Sequence, residues 1–275
     1  MRVTIGQIKE MKQKGEKIPM LTAYDYATAR LIDEVGVPLI LVGDSLGMVV
    51  LGYESTIPVT MEEMLHHTRA VVKGTKRALV VGDMPFMTYH AKISDALYNA
   101  GRFLQEGGAQ AVKLEGGEPM AEAVHRVVEC GIPVMGHIGL TPQSVHQLGG
   151  FKVQGKSPEA AMRLIKDAQA LEEAGVFSIV LESIPTPLAK IITQKVSVPT
   201  IGIGAGPWCD GQVQVISDLL GLFTDFVPKH AKQYAKLFDT IKKATADYIS
   251  EVQNGTFPTE KEGHAMDESL LAGLE

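Results

Sequence analysis

Asp44 with Ser45, Asp83, Lys113 with Glu115, His137 and Glu182 are the residues whose types and placement suit chemistry in this 275-residue chain. Each closes or follows a short apolar run: LILVG before Asp44, ALVVG before Asp83, AV and L around Lys113, PVMG before His137, SIVL before Glu182. Asp25, after PMLTAY, fits the same pattern. One carboxylate in such a place can cap the next helix or pair with a lysine. Five acids, a lysine and a histidine at the same end of nearly every run are hard to obtain from capping alone.

The chemistry follows from hardness and number. Asp44, Asp83 and Glu115 offer oxygen ligands without cysteine or a paired histidine, which suits Mg²⁺ or a similar hard ion rather than zinc. Three carboxylates at most leave coordination positions for water and substrate. A 2-oxo acid would chelate through its carboxylate and keto oxygen, which acidifies the neighbouring C–H by stabilising the enolate charge. Glu182, on a different run, is a candidate base for that proton. Lys113 can neutralise the substrate carboxylate or the enolate, and Ser45 can donate to the carboxylate or cap a helix. His137 can hydrogen-bond the keto oxygen or serve as a buried structural histidine. Asp25 is read as structural. The glycines of GIGAG (202–206) resemble barrel phosphate loops but equally suit a tight turn. His66 and His67 are neighbours on a helix and face different ways, so a shared metal is not expected.

The elements that must position these groups read as alternating strands and helices. Strands are expected at 19–25, 38–44, 77–83, 111–115, 133–137, 178–182 and 199–204, with a weak eighth at 225–227. Between them fall helices at 26–36, 60–73, 93–107, 119–130, 157–175, 186–194 and 210–220, and a long one at 231–253 ends the series. A short helix over 4–15 precedes the first strand. Thr60 with Glu63 forms a capping-box pattern. The 138–156 stretch, rich in Gly, Gln and Ser, reads as a lid or binding loop. Eight strand–helix units predict one α/β domain, a single (β/α)8 TIM barrel over 1–258 with a long C-terminal helix. A polar, acidic tail, 259–275, is expected to be mobile. In such a barrel the strand C-terminal ends meet at one mouth. The alternative, a doubly wound open sheet, lacks a G-x-G-x-x-G after the first strand.

Composition bounds the rest. Apolar residues are 45% and charged residues 21%, as in an ordinary globular protein rather than a disordered one. A net charge of −6 argues against a nucleic-acid partner. Cys130 and Cys209 are the two cysteines, so no disulfide framework is implied. No apolar run approaches the roughly 20 residues that span a bilayer, and no signal-peptide core is visible. A cytoplasmic protein with no membrane partner is expected.

The segments LVGDSLGMVVLGYESTIPVTMEEMLHHTRAV, VGDMPFMTY, VKLEGG, GHIGLTPQSVHQLGGFKVQG and PTIGIGAG, in that order, resemble the ketopantoate hydroxymethyltransferase family over nearly the whole chain to about Pro258. The resemblance implies a (β/α)8 barrel that moves a one-carbon unit from 5,10-methylenetetrahydrofolate to 3-methyl-2-oxobutanoate, giving 2-dehydropantoate towards pantothenate and coenzyme A. It implies Mg²⁺ at Asp44, Asp83 and Glu115, oxo-acid contacts at Asp44, Ser45, Asp83, Lys113 and His137, and Glu182 as proton acceptor. It also implies a homo-oligomer, a decamer of two stacked pentameric rings. Tyr53-Glu54 stands where some members carry His-Asp, and 259–275 looks like an extension past the family's usual end. Two competing readings are a related Mg²⁺ barrel acting on phosphoenolpyruvate or on C–C bonds of oxo acids, and a non-catalytic scaffold or sensor.

Overall fold

The computed structural model describes residues 1–223 and 227–274. Thr4 and Gln7 form a capping box that opens α1 (Ile5–Lys14). The barrel then runs β1 (Ile18–Thr22), α2 (Tyr26–Val35), β2 (Leu39–Val42), the single turn α3 (Leu46–Val49), α4 (Met61–Gly74) and β3 (Leu79–Asp83). It continues through α5 (Ile93–Gln105), β4 (Ala111–Glu115), α6 (Ala121–Glu129), β5 (Val134–Gly139), α7 (Val145–Leu148) and α8 (Pro158–Glu173). After β6 (Ser178–Glu182), α9 (Thr186–Lys195) and β7 (Thr200–Ile203) come β8 (Gly211–Gln214), α10 (Ile216–Leu220) and α11 (Leu237–Gln253). All eight strands are parallel and pair in sequence order, and β8 returns to β1 through Ile18↔Gly211 to close the barrel.

The side-chain period of two sorts the strand residues between the barrel interior and the surrounding helices. The interior cluster takes Leu39 and Leu41 from β2, Leu79 and Val81 from β3, Ala111 from β4, Met135 from β5 and Val180 from β6. Two residues further along the same inner rows stand Asp83 on β3, Lys113 on β4, His137 on β5 and Glu182 on β6. Glu115 follows Lys113 by two again. The apolar lower layers and the ionisable upper layer are therefore one alternation, and a one-residue slip would turn both outward. Ile8 of α1 joins the cluster from below, and Lys12 donates to the carbonyls of Thr193, Val196 and Val198 while pairing with Asp210 at 3.0 Å. That end of the barrel is plugged and the other carries the polar groups.

Helices approach the outer face closely where glycine permits it. A Cβ on Gly82 would lie 2.3 Å from the Phe103 ring of α5, so only a bare backbone lets that helix sit on β3. Asp33 at the end of α2 is buried, and its carboxylate accepts from the backbone N–H of Lys76 (2.8 Å) and Ala78 (2.6 Å), fixing the turn into β3. Thr60 and Glu63 form the expected capping box on α4.

The eighth strand is a correction. Asp225 and Phe226 of the expected 225–227 strand lie outside the described residues. The strand that closes the barrel is β8, inside the stretch expected to be helical (210–220), and 204–210 joins β7 to it without a helix. GQVQ carries no run of β-branched residues, and its glycine is demanded by space: a Cβ on Gly211 would stand 2.3 Å from the Ile18 carbonyl oxygen. The 138–156 stretch also contains more order than a loop, with a 3₁₀ turn at Pro142–Ser144 followed by α7.

Contacts divide the chain into two compact units, Met1–Ile216 with Pro228–Ala231, and Ser217–Val227 with Lys232–Glu275. The first holds the barrel. Within the second, the Tyr234 N–H donates to the Leu219 carbonyl and the Phe238 N–H to that of Gly221. In the tail, short 3₁₀ turns occupy Glu260–Glu262 and Glu268–Leu271, capped by Thr259 and Asp267. Among the described residues no helix is long and apolar enough to cross a membrane.

Candidate active site

Two charged groups form at the strand ends. In the first, Lys113 donates to Asp83 Oδ1 at 2.7 Å, and the Asp44 N–H donates to Asp83 Oδ2 at 3.2 Å. Register explains the lysine contact, because Asp83 and Lys113 are direct partners across β3 and β4. In the second group Glu115 and His137 are partners across β4 and β5. His137 Nδ1 lies 3.5 Å from Glu115 Oε1, and its Nε2 lies 3.2 Å from Glu182 Oε2. Asp44, Asp83, Lys113, Glu115 and His137 are all buried, whereas Glu182 keeps 16% of its side chain open. Glu182 is thus the most solvent-accessible of these acids.

Gln143, from the 3₁₀ turn after β5, links the groups. Its Nε2 donates to Asp44 Oδ2 (2.8 Å) and to the Met84 carbonyl (2.9 Å), and its backbone N–H donates to Glu115 Oε2 (3.0 Å). The Tyr89 hydroxyl donates to Gln143 Oε1 (2.7 Å) and accepts from the Glu115 N–H (3.0 Å). Neither residue is ionisable at neutral pH or stands at a strand end, so a search for charged strand ends passes over both. The faint signals were the polar loop holding Gln143 and the VGDMPFMTY segment ending in Tyr89.

Ser45 opens α3 without capping it through its side chain. Its Oγ lies 2.8 Å from the Tyr24 hydroxyl, and His67 Nδ1 lies 2.6 Å from the Tyr24 carbonyl. Ser45 is thus positioned from the β1–α2 turn, itself held by α4, rather than by the acids. Asp25 caps α2 by accepting from the Thr28 N–H, the structural role read from sequence. Gly206 in the GIGAG turn lies so close to Thr186 that a Cβ would stand 2.4 Å from its Oγ1, a packing reason for that glycine.

The electrostatics are those of crowded carboxylates. Burial pushes the Asp44 carboxyl well above its ordinary range, and the charges of Asp83 and Glu115 add to this against Lys113 and the Gln143 hydrogen bond. Burial alone would lower Lys113, but Asp83, Glu115 and Asp44 outweigh it and hold the ammonium charged. Burial and Lys113 push His137 down, yet Glu115 and Glu182 prevail and raise it to about 9. The Tyr89 hydroxyl is held neutral chiefly by burial, with Glu115 adding to it.

Among the described residues no three Asp, Glu, His or Cys side chains form a ready-made cage for a metal ion. A hard ion such as Mg²⁺ does not require one, since it usually takes one or two carboxylates and completes its octahedron with water and substrate oxygens. Asp44 and Asp83 fit that use: both are oxygen donors, they are tied together through the Asp44 N–H, and the crowding of Asp44 by Asp83 and Glu115 is what a cation between them would relieve. Glu115 Oε1 and both His137 ring nitrogens are buried without an aligned hydrogen bond, which marks polar capacity left open beside them.

A closed (β/α)8 barrel with buried acids, a lysine and a histidine at its strand C-terminal ends defines the class. Solved structures share the fold. A 2,3-dimethylmalate lyase of the PEP mutase/isocitrate lyase superfamily superposes with a TM-score of 0.58 at 15% identity, over 100% of this chain and 96% of its own. The chain belongs to the ketopantoate hydroxymethyltransferase family, whose model matches residues 2–260. It is 65% identical over 275 residues to a 3-methyl-2-oxobutanoate hydroxymethyltransferase of Dehalococcoides mccartyi, covering 100% of this chain and 98% of the relative. A Syntrophus aciditrophicus protein of the same name is 63% identical over 257 residues, 94% of each chain. The family model ends at residue 260, in line with a tail that runs past the family's usual end, and the Dehalococcoides relative shares that tail, since its alignment covers the whole chain.

Proposed function

We propose that this chain transfers a hydroxymethyl group from 5,10-methylenetetrahydrofolate to 3-methyl-2-oxobutanoate, giving 2-dehydropantoate and tetrahydrofolate through an enolate of the oxo acid. Family membership and 65% identity support the coarser assignment, a hydroxymethyltransferase of pantothenate biosynthesis. The observation that carries the finer one is the separation of roles at the mouth: buried acids with one lysine on one side, a partly open Glu182 against His137 on the other.

Asp44 and Asp83 would hold Mg²⁺, with Glu115 behind them, and the ion would polarise the keto oxygen and favour negative charge there. Lys113, kept charged by three acids, offsets the substrate carboxylate as well as Asp83. Ser45, steadied by Tyr24, donates to that carboxylate. Glu182 takes the proton from the third carbon of the oxo acid, with the His137 ring charge 3.2 Å from its carboxylate. The electron pair of the broken C–H bond forms the new C–C bond to the methylene carbon of the folate iminium. The hydroxyl of water then replaces the folate nitrogen on that methylene carbon as the C–N bond breaks. The remaining proton of water goes to the departing nitrogen, and the proton taken by Glu182 offsets the one that opened the folate ring to the iminium, so tetrahydrofolate leaves neutral at both nitrogens.

The test is product formation in a mixture of Mg²⁺, the oxo acid and methylenetetrahydrofolate, followed by proton NMR. A hydroxymethyl signal that needs both the folate and the ion supports the reading. An Asp83→Asn variant with undiminished Mg²⁺-dependent turnover would remove the ion assignment. Turnover of phosphoenolpyruvate or cleavage of a C–C bond without folate would favour the lyase alternative.

A further inference from the structure

Gln143 turns its side-chain amide and its backbone N–H towards the charged site. It is 2% exposed, and its amide and backbone N–H reach Asp44 beyond β2, Met84 beyond β3, and Glu115 on β4. The orientation of the amide is forced. The Met84 carbonyl and the Asp44 carboxylate can only accept, so the NH₂ must face them and Oε1 must face the Tyr89 hydroxyl. Tyr89, 1% exposed, completes a closed set of donors and acceptors by receiving the Glu115 N–H. A loop anchor needs only one or two backbone hydrogen bonds. This residue instead clamps two acids of the candidate ion site, from different strands, in one orientation each.

We propose that the Gln143 amide, locked by Tyr89, is the positioning group that sets Asp44 for binding a hard divalent cation, beside Glu115, which the residue's backbone N–H holds. The proposal rests on the ion reading given above. Its physical content is preorganisation: a carboxylate already held in one rotamer by an outer partner loses no further freedom when an ion arrives. Removing such a partner typically weakens metal affinity by about 10–100-fold.

The experiment uses the full chain stripped of metal and titrated with Mn²⁺, a hard probe ion read by the EPR signal of its free form. Gln143→Met keeps length and volume but removes the amide. Its Mn²⁺ dissociation constant is expected to rise about 10–100-fold, while the KM for the oxo acid at saturating Mn²⁺ stays within a few-fold of wild type. Tyr89→Phe frees Gln143 Oε1 and should weaken Mn²⁺ in the same direction by several-fold. A folded Gln143→Met protein that binds Mn²⁺ within twofold of wild type overturns the proposal, whatever its melting temperature. If that variant does not fold, an unchanged Mn²⁺ affinity in folded Tyr89→Phe overturns it. Failure of the wild-type protein to bind Mn²⁺ at millimolar concentration removes the ion reading and this proposal with it. That outcome is distinct because it appears before any variant is made.

Discussion

Glu182 and His137 form the pair on which the residue-scale account turns. Glu182 is the site acid with an open side, and His137 holds it from a buried position between two carboxylates. Glu182→Gln keeps the shape and removes the base, so turnover should fall by about 10²–10⁴-fold with oxo-acid binding largely retained. His137, raised to about 9, should titrate near there by NMR in the metal-free protein. Its folded pKa lies above the unfolded value of 6.5, so its contribution to stability is complete below about pH 6.5 and lost as pH rises through 9. A His137 midpoint below 6.5 would mean that burial outweighs Glu115 and Glu182. The charged site residues were legible in sequence because each ends an apolar run and chemistry there needs an ionisable group. Gln143 and Tyr89 were not, because their importance lies in hydrogen bonds among three strands brought together only by the closed barrel.

At the scale of elements, the alternation within strands does two jobs. On β3, Leu79 and Val81 pack the interior and Asp83 tops the same row, while Gly82 on the other face admits Phe103. Gly82→Ala should therefore cost about 1–3 kcal/mol by forcing α5 outward, measured by urea unfolding. It should also lower turnover, because the same displacement tilts Asp83. Asp33 joins α2 to β3 through backbone N–H groups that have no other acceptor within the turn. Burial opposes its charge, but the N–H groups of Ala78, Lys76 and Arg77 win and hold its carboxyl below the ordinary range. Its stabilisation is thus present above about pH 3.8 and lost as pH falls through the lower folded value. Asp33→Ala should cost about 3 kcal/mol at neutral pH; a change under 0.5 kcal/mol would contradict this. The first seven strands were readable from apolar runs. β8 was not, since GQVQ holds one apolar side chain and no apolar run, and its defining feature, close approach to Ile18, is a tertiary fact.

For the whole molecule, closure of the barrel is what makes remote residues one site: Asp44 and Glu182, 138 positions apart, end on the same mouth only because eight parallel strands pair in order. The family resemblance and the strand-end chemistry point to this mouth independently, one from motif order and the other from ionisable residues that close apolar runs. The decamer implied by the resemblance predicts a light-scattering mass of ten chains; a monomer at micromolar concentration would contradict it. The central claim is that this mouth enolises an oxo acid with Glu182 as the base. Its most direct test follows the C3 methine proton of 3-methyl-2-oxobutanoate by NMR in D₂O, with Mg²⁺ and methylenetetrahydrofolate present, for wild type and Glu182→Gln. The account predicts that wild type consumes the methine signal while the variant does so at least 100-fold more slowly. Equal rates in the two folded proteins, or a methine signal that wild type leaves intact, would contradict it.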